Sequence, residues 1–316
     1  MLKYNMLSKQ YKDHVVVNNL NIEINDKDIV GFLGPNGAGK TTTIKMSCGL
    51  IIPTKGDVEC CGYSLKKDRK QYLKNIGAVL EGNRNIYWKL SPVENIEYFA
   101  GMKGIGKKKI RNQMDEYLEM FNLTEKRNME CGKLSRGMQQ KVAICCSLIH
   151  NPKVLFLDEP TLGLDVQSVL LIRDVLKNLI KEDRTMIITS HDLNFISSLC
   201  NRIIIINNGT MVLDEDIGFL NRYSENIVYV VEADGICEDI EKIIKEKFDV
   251  EVDKCKDSIR FKVLLNNDNE IIDFLNFLKS NGMNIKDMYK KKSDLEDIFT
   301  EVISDEKDRQ LNFMGE

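Results

Sequence analysis

Eight consecutive residues, Gly34-Pro35-Asn36-Gly37-Ala38-Gly39-Lys40-Thr41, constrain this chain more than any other stretch. They fit the pattern G-x-x-x-x-G-K-[ST] at every defined position, and that pattern belongs between a buried strand and a helix. Ile29-Val30-Gly31-Phe32-Leu33 precedes it as an apolar run of strand length, and Thr42 to Leu50 after it reads as a helix. The glycines let the backbone bend until several N–H groups face one anion. The positive end of the following helix adds to that field, Lys40 reaches the terminal phosphates, and the Thr41 hydroxyl can ligate Mg²⁺. Four specified positions coincide by chance in about one in a hundred chains of this length, and the strand-loop-helix setting lowers that figure further.

A phosphate loop needs an acid to hold its metal, at the end of a buried strand. Leu155-Phe156-Leu157-Asp158-Glu159 supplies one: Asp158 for the metal, and Glu159 beside it to orient or activate an attacking water. Leu134-Ser135-Arg136-Gly137-Met138-Gln139-Gln140 opens a helix about 20 residues earlier, where Ser135 and free N–H groups form a second anion site. Gly163-Leu164-Asp165 follows the acid pair. His191 ends the apolar run Thr185 to Ser190, where it can contact a γ-phosphate.

The bulk composition excludes some classes. Hydrophobic residues make up 43% and charged residues 29% of 316, enough for two globular domains with a sizeable core. The net charge of −3 provides no basic field, so nucleic acid is not an expected partner. No apolar run approaches the ~20 residues that cross a bilayer and the start lacks a secretory plan, which predicts a cytoplasmic chain. Nine cysteines, with adjacent pairs at Cys60-Cys61 and Cys145-Cys146 and no Cys/His zinc spacing, read as reduced structural thiols.

The fold class is α/β: a phosphate-loop nucleotidase core at 1–222 with an inserted α-helical subdomain at about 83–150. Ser91-Pro92-Val93-Glu94 starts one of the inserted helices with a capping box. Asn208-Gly209 turns Ile203–Ile206 back on Thr210–Leu213 as a hairpin. From 223 to 304 the order strand 226–232, helix 236–248, strand 249–253, strand 258–265, helix 269–280, strand 284–289 is βαββαβ, a small α+β ferredoxin-like pattern. A further capping box stands at Ser293-Asp294-Leu295-Glu296, and 305–316 is a polar tail.

The order of these motifs over residues 1 to about 220 resembles the ATP-binding subunits of ABC transporters. The resemblance implies Tyr11 as the adenine-stacking aromatic, Gly34 to Thr41 with Thr42 as Walker A, and Glu81 at the Q-loop position. It further implies Leu134 to Met138 at the signature, Leu155 to Glu159 as Walker B, Asp165 in the D-loop, and His191 as the switch histidine. The C-terminal segment, with Asp294-Leu295-Glu296-Asp297-Ile298-Phe299, looks like the extension of drug-resistance-type exporter ATPases. Two departures stand out: Glu81 replaces the usual Gln, and in the signature Arg136 replaces a Gly and Met138 a Gln, while Ser135 and Gly137 are kept.

What the family resemblance implies is an ATPase using ATP and Mg²⁺, with Thr41, Asp158 and Glu81 near the metal and Glu159, His191 and Glu81 catalytic. It works as a homodimer on the inner face of the membrane, energising a separate integral membrane permease that exports drug-like or antibiotic compounds. Tyr87 and Trp88, near the Glu81 hinge, are docking aromatics or core packing. The alternative is a soluble ABC-type ATPase with a regulatory or non-transport role. A GTPase is disfavoured because the chain has no Asn/Thr-Lys-x-Asp sequence to read guanine.

Overall fold

A computed structural model describes residues 1–82, 85–180, 184–218, 227–234, 243–244, 247–248, 250–254, 259–265, 270–291, 295, 299–300 and 303. The chain divides into two units, Met1–Ile217 and Gly218–Asp305.

In the first unit the chain begins with β1 (Leu2–Tyr11), β2 (His14–Ile24), β3 (Ile29–Leu33), α1 (Lys40–Ser47), β4 (Lys55–Cys60), β5 (Tyr63–Ser64), α2 (Arg69–Lys74) and β6 (Ile76–Val79). Helices α3 (Pro92–Met102), α4 (Lys107–Met120) and α5 (Arg136–Leu148) follow. The unit finishes with β7 (Val154–Asp158), α6 (Val166–Ile180), β8 (Thr185–Thr189), α7 (Leu193–Leu199), β9 (Arg202–Asn207) and β10 (Thr210–Asp216).

Two sheets result. An antiparallel sheet runs β2-β1-β4-β5, and a six-stranded sheet runs β10-β9-β3-β8-β7-β6. In the larger sheet β9, β3, β8, β7 and β6 are parallel and β10 is an antiparallel edge. Every residue of β3, β7 and β8 is buried, as continuous apolar runs require when both faces of a parallel sheet are covered. Phe156 and Ile187 sit in the core shared with Leu2, Leu20 and Ile44, each large apolar side chain contributing about 1.5–3 kcal/mol by its burial.

The helix after the phosphate loop ends sooner than its sequence pattern predicts. Gly49, at φ +70°, closes it with a Schellman motif: Leu50 N–H bonds Lys45 O at 2.9 Å and Gly49 N–H bonds Met46 O at 2.9 Å. The inserted helices start as their caps dictate. Ser91 Oγ accepts from Glu94 N at 3.3 Å, and Glu94 Oε2 accepts from Ser91 N at 2.8 Å. The cysteines of the described residues are free, and Cys145 and Cys146 are buried as small hydrophobes.

In the second unit β11 (Ile227–Asp234), β12 (Val250–Lys254), β13 (Ile259–Leu265), α8 (Glu270–Ser280) and β14 (Asn284–Lys291) form an antiparallel sheet ordered β12-β13-β11-β14 with one described helix. Phe274 of α8 stacks edge-on against Phe248 and Phe261, at 5.1 and 5.7 Å, over a core of Val231, Val263 and Leu278. Most of the helix expected at 236–248, most of the capping box at 293–296 and the tail at 305–316 lie outside the described residues. Among the described residues no helix is long and apolar enough to cross a membrane.

Candidate active site

The order β3-β8-β7 puts three carboxyl ends side by side, and in an open α/β sheet that edge is where ligands bind. The loop leaving β3 exposes Asn36 and Gly37 at its tip, keeps Pro35 half-buried, and buries Gly34, Ala38, Gly39 and Lys40; Thr41 and Thr42 are half-buried in the first turn of α1. Gly39 has φ +103°, and a Cβ there would lie 2.7 Å from Val16 O, so a side chain would push the loop off β2. The β9–β10 turn supports the loop from behind: Gly209 N–H donates to Ala38 O at 3.0 Å and its carbonyl accepts from Asn18 N at 2.8 Å. Sequence reasoning read Asn208-Gly209 only as a hairpin turn. Lys40 Nζ donates to Gly34 O at 2.6 Å and Pro35 O at 3.1 Å. Burial pushes the Lys40 ammonium below its ordinary pKa, against the pull of Glu159 and Asp158.

Asp158 ends β7, almost fully buried. Its Oδ1 accepts from Thr189 Oγ1 at 2.7 Å and from Thr41 Oγ1 at 3.4 Å, while its Oδ2 is a buried acceptor with no hydrogen-bond partner. The next residue turns sharply: Glu159 has φ +50°, a left-handed conformation costing about 1–2 kcal/mol for a side-chain-bearing residue. Glu159 N–H donates to Thr189 Oγ1 at 3.0 Å. Its carboxylate meets His191 twice, with Oε2 accepting from the backbone N–H at 3.3 Å and Oε1 lying 3.4 Å from ring Nε2. Burial raises the Glu159 carboxyl pKa above the ordinary range, and His191 partly offsets this.

Thr189 is the residue sequence reasoning missed. It pairs with Asp158 in the parallel register, so one hydroxyl holds the Asp158 carboxylate and the backbone N–H of Glu159. A polar residue closing an otherwise apolar strand beside the acid strand was the available signal. Thr189→Val keeps the shape but removes both hydroxyl bonds, of which the one to the Asp158 carboxylate is worth about 1.5–3 kcal/mol, while Glu159 N–H keeps its bond to Thr189 O at 3.2 Å. The expected result is at least a roughly tenfold fall in kcat for nucleoside triphosphate hydrolysis, measured by phosphate release. An unchanged kcat would leave the hydroxyl as packing only.

The other expected residues fall elsewhere. Glu81 is exposed after β6 and borders the same small cavity as Glu159. Tyr11 is exposed at the end of β1; Lys9 Nζ lies 4.8 Å over its ring and also donates to Ile52 O at 2.9 Å, which orients the aromatic face. Ser135 caps α5, accepting from Met138 N at 3.3 Å. A Cβ on Gly137 would lie 2.5 Å from Ser168 Oγ. Ser168 in turn donates through N and Oγ to Asp165, at 2.7 and 3.0 Å, bonds that hold the Asp165 carboxyl below its ordinary pKa. Ser135, Gly137 and Asp165 therefore form a second group, where α5 and α6 begin side by side. Among the described hydrogen bonds it has no link to the Lys40–Asp158–Glu159 group. Tyr87 and Trp88 are half exposed, and Tyr87 packs edge-on against Tyr98 at 4.8 Å.

The chain is similar to known proteins. The family model described as ABC transporter matches residues 17–162. An uncharacterised ABC transporter ATP-binding protein, YhcH of Bacillus subtilis (strain 168), is 40% identical over 214 residues, 67% of this chain and 68% of its own. The chain belongs to the ABC transporter ATP-binding subunits. The bacitracin transport ATP-binding protein BcrA of Bacillus licheniformis is 39% identical over 231 residues, covering 73% of this chain and 74% of that protein. A solved dimer of the ATP-binding cassette MJ0796, in a post-hydrolysis state with ADP and Pi, superimposes with a TM-score of 0.63 at 28% identity. It covers 69% of this chain and 99% of the other. As an ABC transporter ATP-binding subunit this protein has the ABC-type ATPase fold, binds ATP and hydrolyses it. Subunits of this family dimerise and work with membrane permeases.

Proposed function

We propose that this subunit energises an exporter of drug-like or antibiotic compounds, as a homodimer docked on the cytoplasmic face of a separate permease. The observation that carries the ATPase mechanism is the hydrogen-bond chain Thr41–Asp158–Thr189–Glu159–His191 beside the phosphate loop. The export reading is supported by similarity to the bacitracin transport protein.

Lys40 and the loop amides take the triphosphate, and the ring of Tyr11 takes the base. The hard oxygen donors fit Mg²⁺: Asp158 presents a buried oxygen without a partner, and Thr41 Oγ1 lies beside its other oxygen. Thr41 and Asp158 would hold the ion, with Glu81 close by. When bound, the metal supplies charge neutralisation across the terminal phosphates. Glu159, made more basic by burial, accepts the proton of the attacking water while His191 holds the carboxylate in place. Ser135, Gly137 and Asp165 are exposed to, or adjoin, the face offered to a second copy, where the N-terminus of α5 meets that copy's γ-phosphate. Closure is then favourable only while ATP is intact.

The boundaries that accompany this reading are 1–222 for the ATPase core, with the helical insertion at about 83–150, and 223–304 for an accessory domain. The order β12-β13-β11-β14, with α8 between β13 and β14, supports a ferredoxin-like reading of that second domain.

The test is purification from detergent with the bound permease, followed by reconstitution in inside-out vesicles. ATP-dependent uptake of a peptide antibiotic is the expected result. Full ATPase activity with no uptake of any drug-like compound would remove the export reading. Failure to pair with a non-hydrolysable triphosphate and Mg²⁺, even with the permease, would remove the homodimer.

A further inference from the structure

The hairpin that carries Tyr11 is packed against the phosphate loop. In its antiparallel register Lys9 faces Val17 and Tyr11 faces His14. A Cβ on Gly39 would lie 2.7 Å from Val16 O and 3.2 Å from Val17 Cγ2, so β2 meets the loop at the level of Lys9. Three residues of β2 separate that level from His14, about 10 Å at the rise of an extended strand. A ribose and a phosphate chain span such a distance.

The same end of β1 is tied to the segment that leaves α1. Thr54 N–H donates to Ser8 O at 2.8 Å, Gln10 N–H donates to Thr54 Oγ1 at 3.1 Å, and Lys9 Nζ donates to Ile52 O at 2.9 Å. Because α1 begins at Lys40, the phosphate loop and the end of β1 are referred to opposite ends of one helix. The Lys9 ammonium lies 4.8 Å from the centroid of the Tyr11 ring, within cation–π range. Lys9 is half-buried, whereas Tyr11 is 45% exposed. One face of the ring is therefore taken, and the other is left for a ligand.

An exposed tyrosine at a strand end turns about its side-chain bonds, and a base that stacks on it must hold it still. Lys9 removes that freedom beforehand, because its own ammonium is fixed on the Ile52 carbonyl. We propose that Lys9 is a positioning residue for nucleotide binding: it turns the open face of Tyr11 toward the base while the loop takes the phosphates. Lys9 acts through the ring and not on the phosphates. The inference rests on Tyr11 receiving the base.

The test is a double-mutant cycle on the full chain, read as binding of a non-hydrolysable ATP analogue with Mg²⁺ and as KM and kcat for ATP. Lys9→Met is expected to weaken analogue binding and raise KM about two- to fivefold, the scale of an exposed cation–π contact, with kcat unchanged. Lys9→Arg, which keeps a cation over the ring, restores both. Inorganic tripolyphosphate, which has no base, binds Lys9→Met and the parent equally. In the Tyr11→Ala background Lys9→Met adds no further loss, because no ring is left to orient. Equal losses for the analogue and for tripolyphosphate would overturn the proposal and make Lys9 a charge acting on the phosphates. Losses that add in the Tyr11→Ala background would also overturn it, leaving Lys9 as a tie between β1 and Ile52. A Tyr11→Ala variant that binds the analogue like the parent removes the underlying assignment of the base instead.

Discussion

Glu159→Gln is expected to keep ATP and lose its hydrolysis. Removing a positioned general base costs roughly 10²–10⁴-fold in rate, and kcat should fall by that much while ATP affinity is retained. The amide oxygen of Gln can still accept from the His191 backbone N–H, which Glu159 Oε2 meets at 3.3 Å, but it cannot take a proton from water. Because ATP is bound and not consumed, the closed dimer should persist in gel filtration with ATP and Mg²⁺. The substitution also has a pH signature without nucleotide. Burial raises the Glu159 pKa, so the ionised carboxylate opposes folding above the ordinary carboxylate range, and that cost disappears as pH falls below it. The variant should therefore melt no lower than the parent at neutral pH, with any advantage shrinking toward acid. Unchanged turnover would end the assignment.

The elements that position this site were legible because each announced itself locally. The apolar runs of β3, β7 and β8 are buried along their whole length, and the phosphate loop, acid pair and His191 stand at their ends. The capping box at Ser91 formed as written. What escaped the sequence was non-local. Thr189 reads as an ordinary strand residue until the register sets it beside Asp158. Gly137 reads as a backbone donor, yet its contact with Ser168 shows that α5 and α6 also need it small, which no spacing rule contains. Gly209 supports Ala38 from a hairpin far along the chain. Gly49 was within reach, since a glycine closing a periodic run is the usual sign of a left-handed helix end. The helix ends at Ser47, with Gly49 closing it two residues on, rather than at Leu50.

Lys40→Ala is expected to abolish useful ATP binding, through more than the loss of one contact. The ammonium is buried against two neutral carbonyls, those of Gly34 and Pro35, which satisfy its protons, and the charges of Glu159 and Asp158 offset its burial only in part. Burial accordingly lowers its pKa. A triphosphate supplies further counter-charge through charge-assisted hydrogen bonds worth about 1.5–3 kcal/mol each, so affinity should fall about 10²-fold or more. Asp158 and Glu159 deepen the loss: with Lys40 gone, the incoming phosphates face two carboxylates and no lysine between them. The same physics predicts that the fold survives. A buried lysine with a lowered pKa opposes folding at neutral pH while it is charged, so its removal should not lower the melting temperature without nucleotide. The measurement is thermal unfolding with and without ATP, where the parent rises by the amount its affinity sets. The variant should melt like the parent in the absence of ATP and show no rise in its presence. A rise as large as the parent's would mean that the phosphates are held by the loop amides alone, and that the charge at Lys40 serves some other step.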